Sequence, residues 1–211
     1  MGLAELQTSH YTVAEYFALE ASSEVRHEFY EGEVFAMAGE SMAHNTIALN
    51  IAFACRQALR GKKCRVQMEN VQLAVEQNRH YTYPDVVVSC APQDQHASRR
   101  LLRHPVLIVE VLSPSTAAYD RGKKFKQYQK LPSLRHYILV AQTTWRVEWY
   151  RRNEANEWVV VVLTEPEEVL SIAELNLHLN ITDLYEETGI AQLRADPPPP
   201  DADSEALVDE E

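Results

Sequence analysis

The amino-acid sequence predicts an α/β or α+β fold, in which a mixed β-sheet is flanked by helices. The first observation is the order of patterns along the chain: a helix, a hairpin, a helix, several strands, a helix and further strands. The second is that the runs at 83–88 and 106–112 are dense in Val and Ile, which is typical of strands buried on both faces. Elements in this order favour helices packed on a sheet.

The N-terminal part predicts a helix followed by a hairpin. Thr12 and Glu15 have the spacing of a capping box, which predicts that a helix begins there and covers 12–20. Residues 26–37 then predict a hairpin that turns near residues 31 and 32.

A second, longer helix is predicted to start at Ser41 or His44 and to run to about residue 59. His44 is expected to be a cap or core histidine more often than a ligand. The helix should bury a stripe of apolar side chains on one face. The predicted stripe consists of Ile47, Leu49, Ile51, Ala52, Cys55 and Leu59.

The middle and C-terminal parts predict further strands and one more helix. Residues 120–131 predict a helix that Pro132 ends. Residues 92–103 predict a polar loop, which is either a plain solvated loop or one beside an anionic ligand. Strands are predicted over 64–68, 71–75, 82–89, 106–112, 136–141, 146–151 and 157–163.

Length and charge indicate one folded domain over 1–194 and a disordered, acidic, Pro-rich tail over 195–211. The tail holds seven acidic residues and no basic one, which leaves 24 acidic against 20 basic residues in the predicted domain. This mildly acidic balance does not exclude DNA as a partner, because bound divalent metal would offset part of the negative charge.

Cysteine usage and hydropathy predict a soluble protein of the reducing cytoplasm. The three cysteines, Cys55, Cys64 and Cys90, are odd in number and not closely paired, which argues against a disulfide framework. The N-terminus lacks the basic start and apolar run of a signal peptide. No stretch approaches the length of a membrane span, so we expect no membrane partner.

Two of the apolar runs each carry one carboxylate, Asp85 and Glu110. A carboxylate inside such a run is costly unless it is paired, hydrogen-bonded or bound to a metal. If the two strands are neighbours, both carboxylates converge on one ion, and the backbone carbonyl of Val111 could add a third oxygen. Mg2+ or Mn2+ suits such hard oxygen ligands. The alternative is a buried acid pair satisfied by the backbone and an arginine.

Lys124 follows Glu110 by fourteen residues, on the third predicted helix. A lysine near such an ion can orient or deprotonate water, or neutralise a phosphate. The strand position that would face the same side as Glu110 holds Leu112, which cannot do this. Lys124 is therefore the candidate, and its alternative is a solvated helix residue. Two acids and a lysine around a sheet indicate metal-dependent phosphodiester hydrolysis.

Several motifs in this order resemble the Uma-two family of restriction endonucleases, within the PD-(D/E)XK nuclease superfamily. The resemblance runs from about residue 11 to 184 and includes the hairpin at 28–33 and His44 with Asn45. The motifs that carry it are Tyr83-Pro84-Asp85, Val109-Glu110-Val111-Leu112-Ser113-Pro114-Ser115-Thr116, Asp120-Arg121-Gly122-Lys123-Lys124-Phe125 and Leu134-Arg135-His136-Tyr137.

The resemblance implies a restriction-endonuclease-like fold with Asp85 and Glu110 as metal ligands. It implies that the catalytic lysine has moved from the strand to the helix, as Lys124. Glu28 resembles an additional acid of the N-terminal region that reaches the metal directly or through water, or is structural instead. The chain departs from the family in having Glu69-Asn70 where members often carry an acid before the strand at 71–75.

The sequence thus predicts a Mg2+- or Mn2+-dependent endonuclease acting on DNA. Cleavage of two strands by one site per chain suggests a homodimer. The rival function is a DNA-binding or protein-interaction module with little or no turnover, favoured by the acidic composition and the missing strand lysine. The candidates for phosphate contact are Arg56, Arg60, Lys62, Lys63, Arg65, Lys123, Lys126 and Lys130.

Overall fold

The structure is a computed structural model that describes residues 10–37, 39–98 and 100–192. The tail predicted over 195–211 lies outside these residues. The helices are α1 (Val13–Ser22), α2 (Met42–Ala58), α3 (Ala117–Tyr119), α4 (Phe125–Tyr128) and α5 (Ile181–Leu184). The strands are β1 (His27–Tyr30), β2 (Glu33–Ala36), β3 (Arg65–Met68), β4 (Gln72–Glu76), β5 (His80–Thr82), β6 (Val86–Ser89), β7 (Leu101–Leu102), β8 (Leu107–Leu112), β9 (His136–Ala141), β10 (Val147–Arg152), β11 (Trp158–Leu163), β12 (Val169–Ile172) and β13 (Leu177–Asn180).

The strands form two larger sheets and one small ribbon. The six-stranded sheet has the order β11-β10-β9-β8-β6-β3, and the five-stranded sheet has the order β2-β1-β5-β4-β7. Both sheets are mixed, because β8 runs parallel to β9 and β4 runs parallel to β7. The predicted class, a mixed sheet flanked by helices, is confirmed. The expected pairing of the two Val-rich strands is also confirmed, since β6 pairs with β8.

The central strand β8 divides the interior into two cores. Alternate side chains of a strand point to opposite faces. Val109 therefore packs with Ile47 and Ile51 of α2 on one face. Ile108 packs with Phe125 and Tyr128 of the α4 region on the other. Glu110 belongs to this second face, so its carboxylate points towards the helix that carries Lys124.

The two N-terminal predictions are confirmed. Thr12 caps α1 with its side chain and Glu15 returns the bond, so that the capping box is complete. In the hairpin, Glu31 and Gly32 connect β1 to β2 with φ of 49° and 93°. Two positive φ values in a two-residue turn match the twist of the flanking strands. The hairpin thereby places β2 at the edge of the five-stranded sheet.

Helix α2 is confirmed, with Ser41 as its N-cap. One member of its predicted buried stripe is wrong, because Leu49 is 54% exposed. Leu49 lies two residues after Ile47, which turns it to the opposite side of a helix with 3.6 residues per turn.

The strand predicted over 82–89 is wrong as a single element. The chain leaves the five-stranded sheet at the end of β5 and enters the six-stranded sheet at the start of β6. Residues 83–85 make the connection, and Pro84 has no N–H to continue a ladder. Asp85 therefore stands where the two sheets meet rather than inside a strand.

The helix predicted over 120–131 starts earlier and is less regular than expected. Its helical turns begin with α3, and a π-helical turn over Asp120–Lys124 connects α3 to α4. π-Helical turns are rare in proteins, and those that do occur are frequently found at functional sites. The irregular stretch is the one that contains Lys124.

The segment 92–103 is more ordered than a plain polar loop. Asp94 is buried and accepts hydrogen bonds from the Ser89 hydroxyl and the His104 N–H, each at 2.8 Å. Strand β7 within this segment pairs with β4. Asp94 therefore fixes the segment onto the end of β6.

The expectation that the cysteines form no disulfide is wrong. Cys64 and Cys90 are bonded, at a separation of 26 positions in sequence. Arg65 pairs with Ser89 in the antiparallel β3–β6 ladder. Cys64, just before Arg65, and Cys90, just after Ser89, are therefore brought together. Among the described residues Cys55 is free and buried. In the same ranges, no helix combines the length and the apolar composition that crossing a membrane requires.

Reduction of this disulfide should lower the stability of the protein. Closing a loop of this length restricts the unfolded chain by about 3 kcal/mol, which corresponds to roughly 10 °C in Tm for a chain of this size. We expect this fall in calorimetry when a reductant is added. The Cys64→Ser/Cys90→Ser variant should match the reduced protein and be insensitive to reductant. An equal response of that variant to reductant would contradict the bond.

Candidate active site

Four side chains proposed from the sequence lie together on one wall of a cavity of about 990 Å³. They come from separate elements: Glu28 from β1, Asp85 from the junction before β6, Glu110 from β8 and Lys124 from the π-helical turn. Val86 pairs with Val109 in an antiparallel ladder. Asp85, just before Val86, and Glu110, just after Val109, therefore also face each other. The fold thus brings together residues that are far apart in sequence.

The Lys124 side chain turns inward and is 6% exposed, so the alternative of a solvated helix residue is wrong. Its Nζ lies 2.9 Å from Glu110 Oε1, 3.2 Å from Glu28 Oε1 and 3.6 Å from Asp120 Oδ1. Burial alone would lower the pKa of this amine, but Glu110 and Glu28 outweigh burial and raise the pKa well above its usual value. Lys124 is therefore an ammonium ion.

Glu110 is held by one of its two oxygens. Its Oε1 accepts a hydrogen bond of 2.6 Å from the Tyr128 hydroxyl, as well as the contact with Lys124. Burial raises the pKa of this carboxyl well above its usual value, and the charges of Asp85 and Asp120 add to the rise against the opposing effect of Lys124. The negative charge of ionised Glu110 is thus only partly compensated by Lys124.

Asp85 is also held by one oxygen. Its Oδ2 accepts a hydrogen bond of 2.6 Å from the Val111 N–H and lies 3.3 Å from Nε2 of His44. Burial disfavours protonation of His44, but the pKa of the imidazole is raised because Asp85, Glu40 and the Val111 backbone favour its charged form. Asp85 is therefore satisfied by backbone and histidine, without an arginine among the described residues.

Glu28 forms the far side of the Lys124 site. It accepts a hydrogen bond from the Thr82 hydroxyl in addition to its ion pair with Lys124. Burial would raise the pKa of Glu28, but Lys124 and Thr82 outweigh burial and lower it. On the same strand as Thr82, burial lowers the pKa of His80 to about 4, so His80 is neutral. Glu28 is thus an anion that holds the ammonium in place.

Asp120 belongs to this cluster and was missed from the sequence. Its carboxyl is buried, and burial raises its pKa above the usual value. The separation of four residues between Asp120 and Lys124 on one helix could have indicated the contact. Together, four carboxylates face one ammonium and one imidazole.

The remaining oxygens of Asp85 and Glu110 fit a divalent cation. Asp85 Oδ1 and Glu110 Oε2 have no hydrogen-bond partner within the described part of the chain. In that same part, no three His, Cys, Asp or Glu side chains are arranged as a complete metal-binding group. Mg2+ normally takes only one or two protein carboxylates, together with waters and substrate oxygens. Two free oxygens on a cluster with excess negative charge match that demand.

Of the other candidate residues from the sequence, some line the cavity and others do not. Lys123 and Lys126 line the cavity, whereas Lys130 pairs with Glu76 outside it. Glu69 accepts a hydrogen bond from Asn45 and lines a neighbouring cavity of about 610 Å³, which Asp85 also borders. The basic residues Arg56, Arg60, Lys62, Lys63 and Arg65 and the segment 92–103 do not line the main cavity.

A solved structure shares this fold. The crystal structure of a protein described as "a putative nuclease belonging to DUF820", from Anabaena variabilis ATCC 29413, superposes with a TM-score of 0.69. The match covers 83% of this chain and 97% of that chain at 20% sequence identity. At this identity the likeness establishes the fold alone, which is that of the Anabaena protein.

The sequence relatives define the family. A family model described as "Putative restriction endonuclease", Uma2, matches residues 13–182. Two proteins of Synechocystis sp. (strain ATCC 27184 / PCC 6803 / Kazusa), both described as uncharacterized, are similar to the chain. The protein slr1290 is 35% identical over 70% of this chain and 77% of its own length, and sll1609 is 31% identical over 72% and 86%. The chain belongs to the Uma2 family, which confirms the resemblance seen in its motifs.

The unequal environments of Glu110 and Glu28 should appear as opposite effects on stability. The raised pKa of Glu110 makes the free energy of unfolding fall as pH rises from about 4.3, the unfolded value, through the folded value. Glu110→Gln removes this loss. We therefore expect a higher Tm in EDTA at about pH 8 and a smaller gain near pH 5.

Glu28→Gln is the matched control for that experiment. The lowered pKa of Glu28 contributes stability above about pH 4.3 that is lost as pH falls through the folded value. This variant should therefore lower Tm at about pH 8. Shifts of the same sign in the two variants would contradict the described electrostatics.

Proposed function

We propose that this protein is a metal-dependent endonuclease that hydrolyses phosphodiester bonds of DNA, with Mg2+ or Mn2+ as its cofactor. The observation that carries the proposal is the buried Lys124 ammonium, in contact with Glu110 and Glu28 beside Asp85. An ammonium and excess carboxylates at one cavity wall meet the two requirements of the reaction, which are stabilisation of negative charge and activation of water. Membership of a family described as restriction endonucleases supports the proposal.

Asp85 and Glu110 would hold the cation through their free oxygens, with the backbone carbonyl of Val111 as a third ligand. When bound, a divalent cation supplies charge stabilisation and lowers the pKa of water towards neutrality. Tyr128 positions Glu110, because its hydroxyl binds Oε1 and leaves Oε2 for the cation. The Val111 N–H and His44 position Asp85 in the same way through Oδ2.

Lys124 would act as a fixed positive charge rather than as a base. Because its pKa is raised, its Nζ keeps its proton at neutral pH, and the N–H that does not point to Glu110 or Glu28 can donate a hydrogen bond to the scissile phosphate. Glu28 is then a positioning residue, since it holds the ammonium of Lys124 and is assigned no contact with the substrate. Asp120 supports the same ammonium from within the helix.

Purified protein should cleave DNA in Mg2+ or Mn2+, and loss of either carboxylate should abolish most of this activity. We expect Asp85→Asn and Glu110→Gln to lower the cleavage rate at least about 10²-fold, because each removes a preorganised charge from the site. The measurement is nicking of plasmid DNA and cleavage of single-stranded DNA, with Mn2+ binding followed by calorimetry.

Glu148→Gln is the control for this test. Glu148 is another buried carboxylate with ion pairs, to Arg121 and Arg146, but it lies on β10 and does not line the cavity. Its substitution should leave the cleavage rate unchanged. Intact DNA of both kinds over a range of salt, with no metal binding that Asp85→Ala abolishes, would overturn the proposal and favour a module without turnover.

Lys124→Met should separate catalysis from metal binding. The variant removes the ammonium but keeps Asp85 and Glu110, so Mn2+ should bind with equal or higher affinity while cleavage falls at least about 10²-fold. Lys130→Met is the matched control, since Lys130 pairs with Glu76 outside the cavity, and should change neither quantity. Loss of Mn2+ binding by Lys124→Met would show that the lysine organises the carboxylates and would contradict the assigned role.

The homodimer stays a prediction that depends on cleavage of both strands of a duplex. The cytoplasmic location also stays a prediction. Light scattering of the purified protein, with and without DNA, measures the first of these directly.

A further inference from the structure

Two exposed aromatic rings line the cavity next to the carboxylates. Phe35 on the edge strand β2 is 50% exposed, and Tyr119 on the helix is 36% exposed. Phe35 is paired directly across the hairpin with Glu28, so their Cβ atoms are about 5 Å apart on the same face. Because Glu28 contacts Lys124, Phe35 and the proposed reaction centre belong to the same part of the cavity.

Tyr119 lines the same cavity from the helical segment that also carries Asp120 and Lys124. It immediately precedes Asp120, and burial together with the nearby charge of Glu28 raises the pKa of its hydroxyl to about 12. Tyr119 is therefore neutral. Within the described ranges, neither Phe35 nor Tyr119 stacks on another aromatic ring or belongs to a buried core cluster. Both rings thus have faces available to a ligand.

Exposed lysines accompany the rings. Lys123 and Lys126 line the same cavity, and neither forms an ion pair with another described residue. Aromatic faces for bases beside free cations for phosphates are the elements that proteins use to bind single-stranded nucleic acid. Base stacking on such rings is largely independent of sequence, which agrees with the lack of a base-reading motif in the chain.

The distribution of charge is poor for a duplex. Duplex binding draws its affinity from many phosphate contacts over a broad basic surface. The rim of this cavity carries Glu33 and Glu40 as well as the two lysines. Arg60, Lys62 and Lys63 follow the end of α2 that is distant from the cavity, because α2 begins at the cavity and its 17 residues extend about 25 Å.

We infer that the cavity accepts DNA as an unpaired strand in preference to a duplex, with Phe35 and Tyr119 as the rings on which its bases stack and Lys123 and Lys126 as contacts to its phosphates. The inference rests on the proposed function, because it places the substrate at the same carboxylates and lysine. One site per chain is sufficient for such a substrate.

Binding to the full chain can be measured by fluorescence anisotropy in EDTA, so that the result is independent of turnover. The probes are a labelled DNA strand of about 12 nucleotides and the duplex of the same sequence. We expect the strand to bind at least about 10-fold more tightly than the duplex, and Phe35→Ala to weaken strand binding about 10-fold. Phe35→Trp should retain the affinity, whereas Phe35→Leu should not, because leucine has no aromatic face.

Phe53→Ala is the matched control, since Phe53 is an exposed aromatic residue on α2, at 63%, that does not line the cavity. It should leave strand binding unchanged. A strand that carries 2-aminopurine gives a second readout, because its fluorescence should be quenched on binding to the natural protein and much less on binding to Phe35→Ala. Melting curves of each variant confirm that it is folded.

Equal or tighter binding of the duplex would overturn the inference, and so would an effect of Phe35→Ala no larger than that of Phe53→Ala. These outcomes differ from failure of the proposed function. A strand preference that depends on Phe35, with no cleavage of any DNA in Mg2+ or Mn2+, would overturn hydrolysis and support the binding mode. Cleavage with a duplex preference would do the reverse.

Discussion

The buried ammonium of Lys124 is the interaction on which the site depends. It joins three elements that are separate in sequence: the N-terminal hairpin through Glu28, the central strand through Glu110 and its own helix through Asp120. Removing a charge from water is costly, and a buried ion pair is often no more stable than an apolar replacement. A cluster of this kind within the cavity is therefore better explained by function than by stability.

The cluster also concentrates part of the negative charge that remains in the chain outside the acidic tail. Four carboxylates surround one ammonium and one imidazole, so part of the negative charge of the protein is concentrated where a divalent cation would neutralise it. Exposed charges farther away than about 10 Å are largely screened by salt at moderate concentration. Net charge alone is therefore a poor guide to whether this protein approaches DNA.

The sequence was informative wherever the governing interaction is local. The Thr12 capping box, the turn at Gly32 and the Val-rich run around Glu110 each depend on neighbouring residues, and the elements were predicted from them. The inward position of Lys124 could be proposed because a helix follows β8 directly. Whether the side chain is buried depends on Glu28, which is distant in sequence.

Features set by long-range packing could not be read from the sequence in this way. The contact of His44 with Asp85 and the bond between Cys64 and Cys90 require knowledge of which elements meet. The separation of β5 from β6 was missed because a run of apolar residues looks the same whether it serves one sheet or two.

The connection between β5 and β6, residues 83–85, limits how the family can vary. Asp85 is the last of the three residues that connect the two separately packed sheets. Because side chains alternate along a strand, one inserted or deleted residue in this connection would turn the inward-facing side chains of β6 to the opposite face. We therefore expect the number of residues from Tyr83 to Val86 to be among the least variable features in related chains.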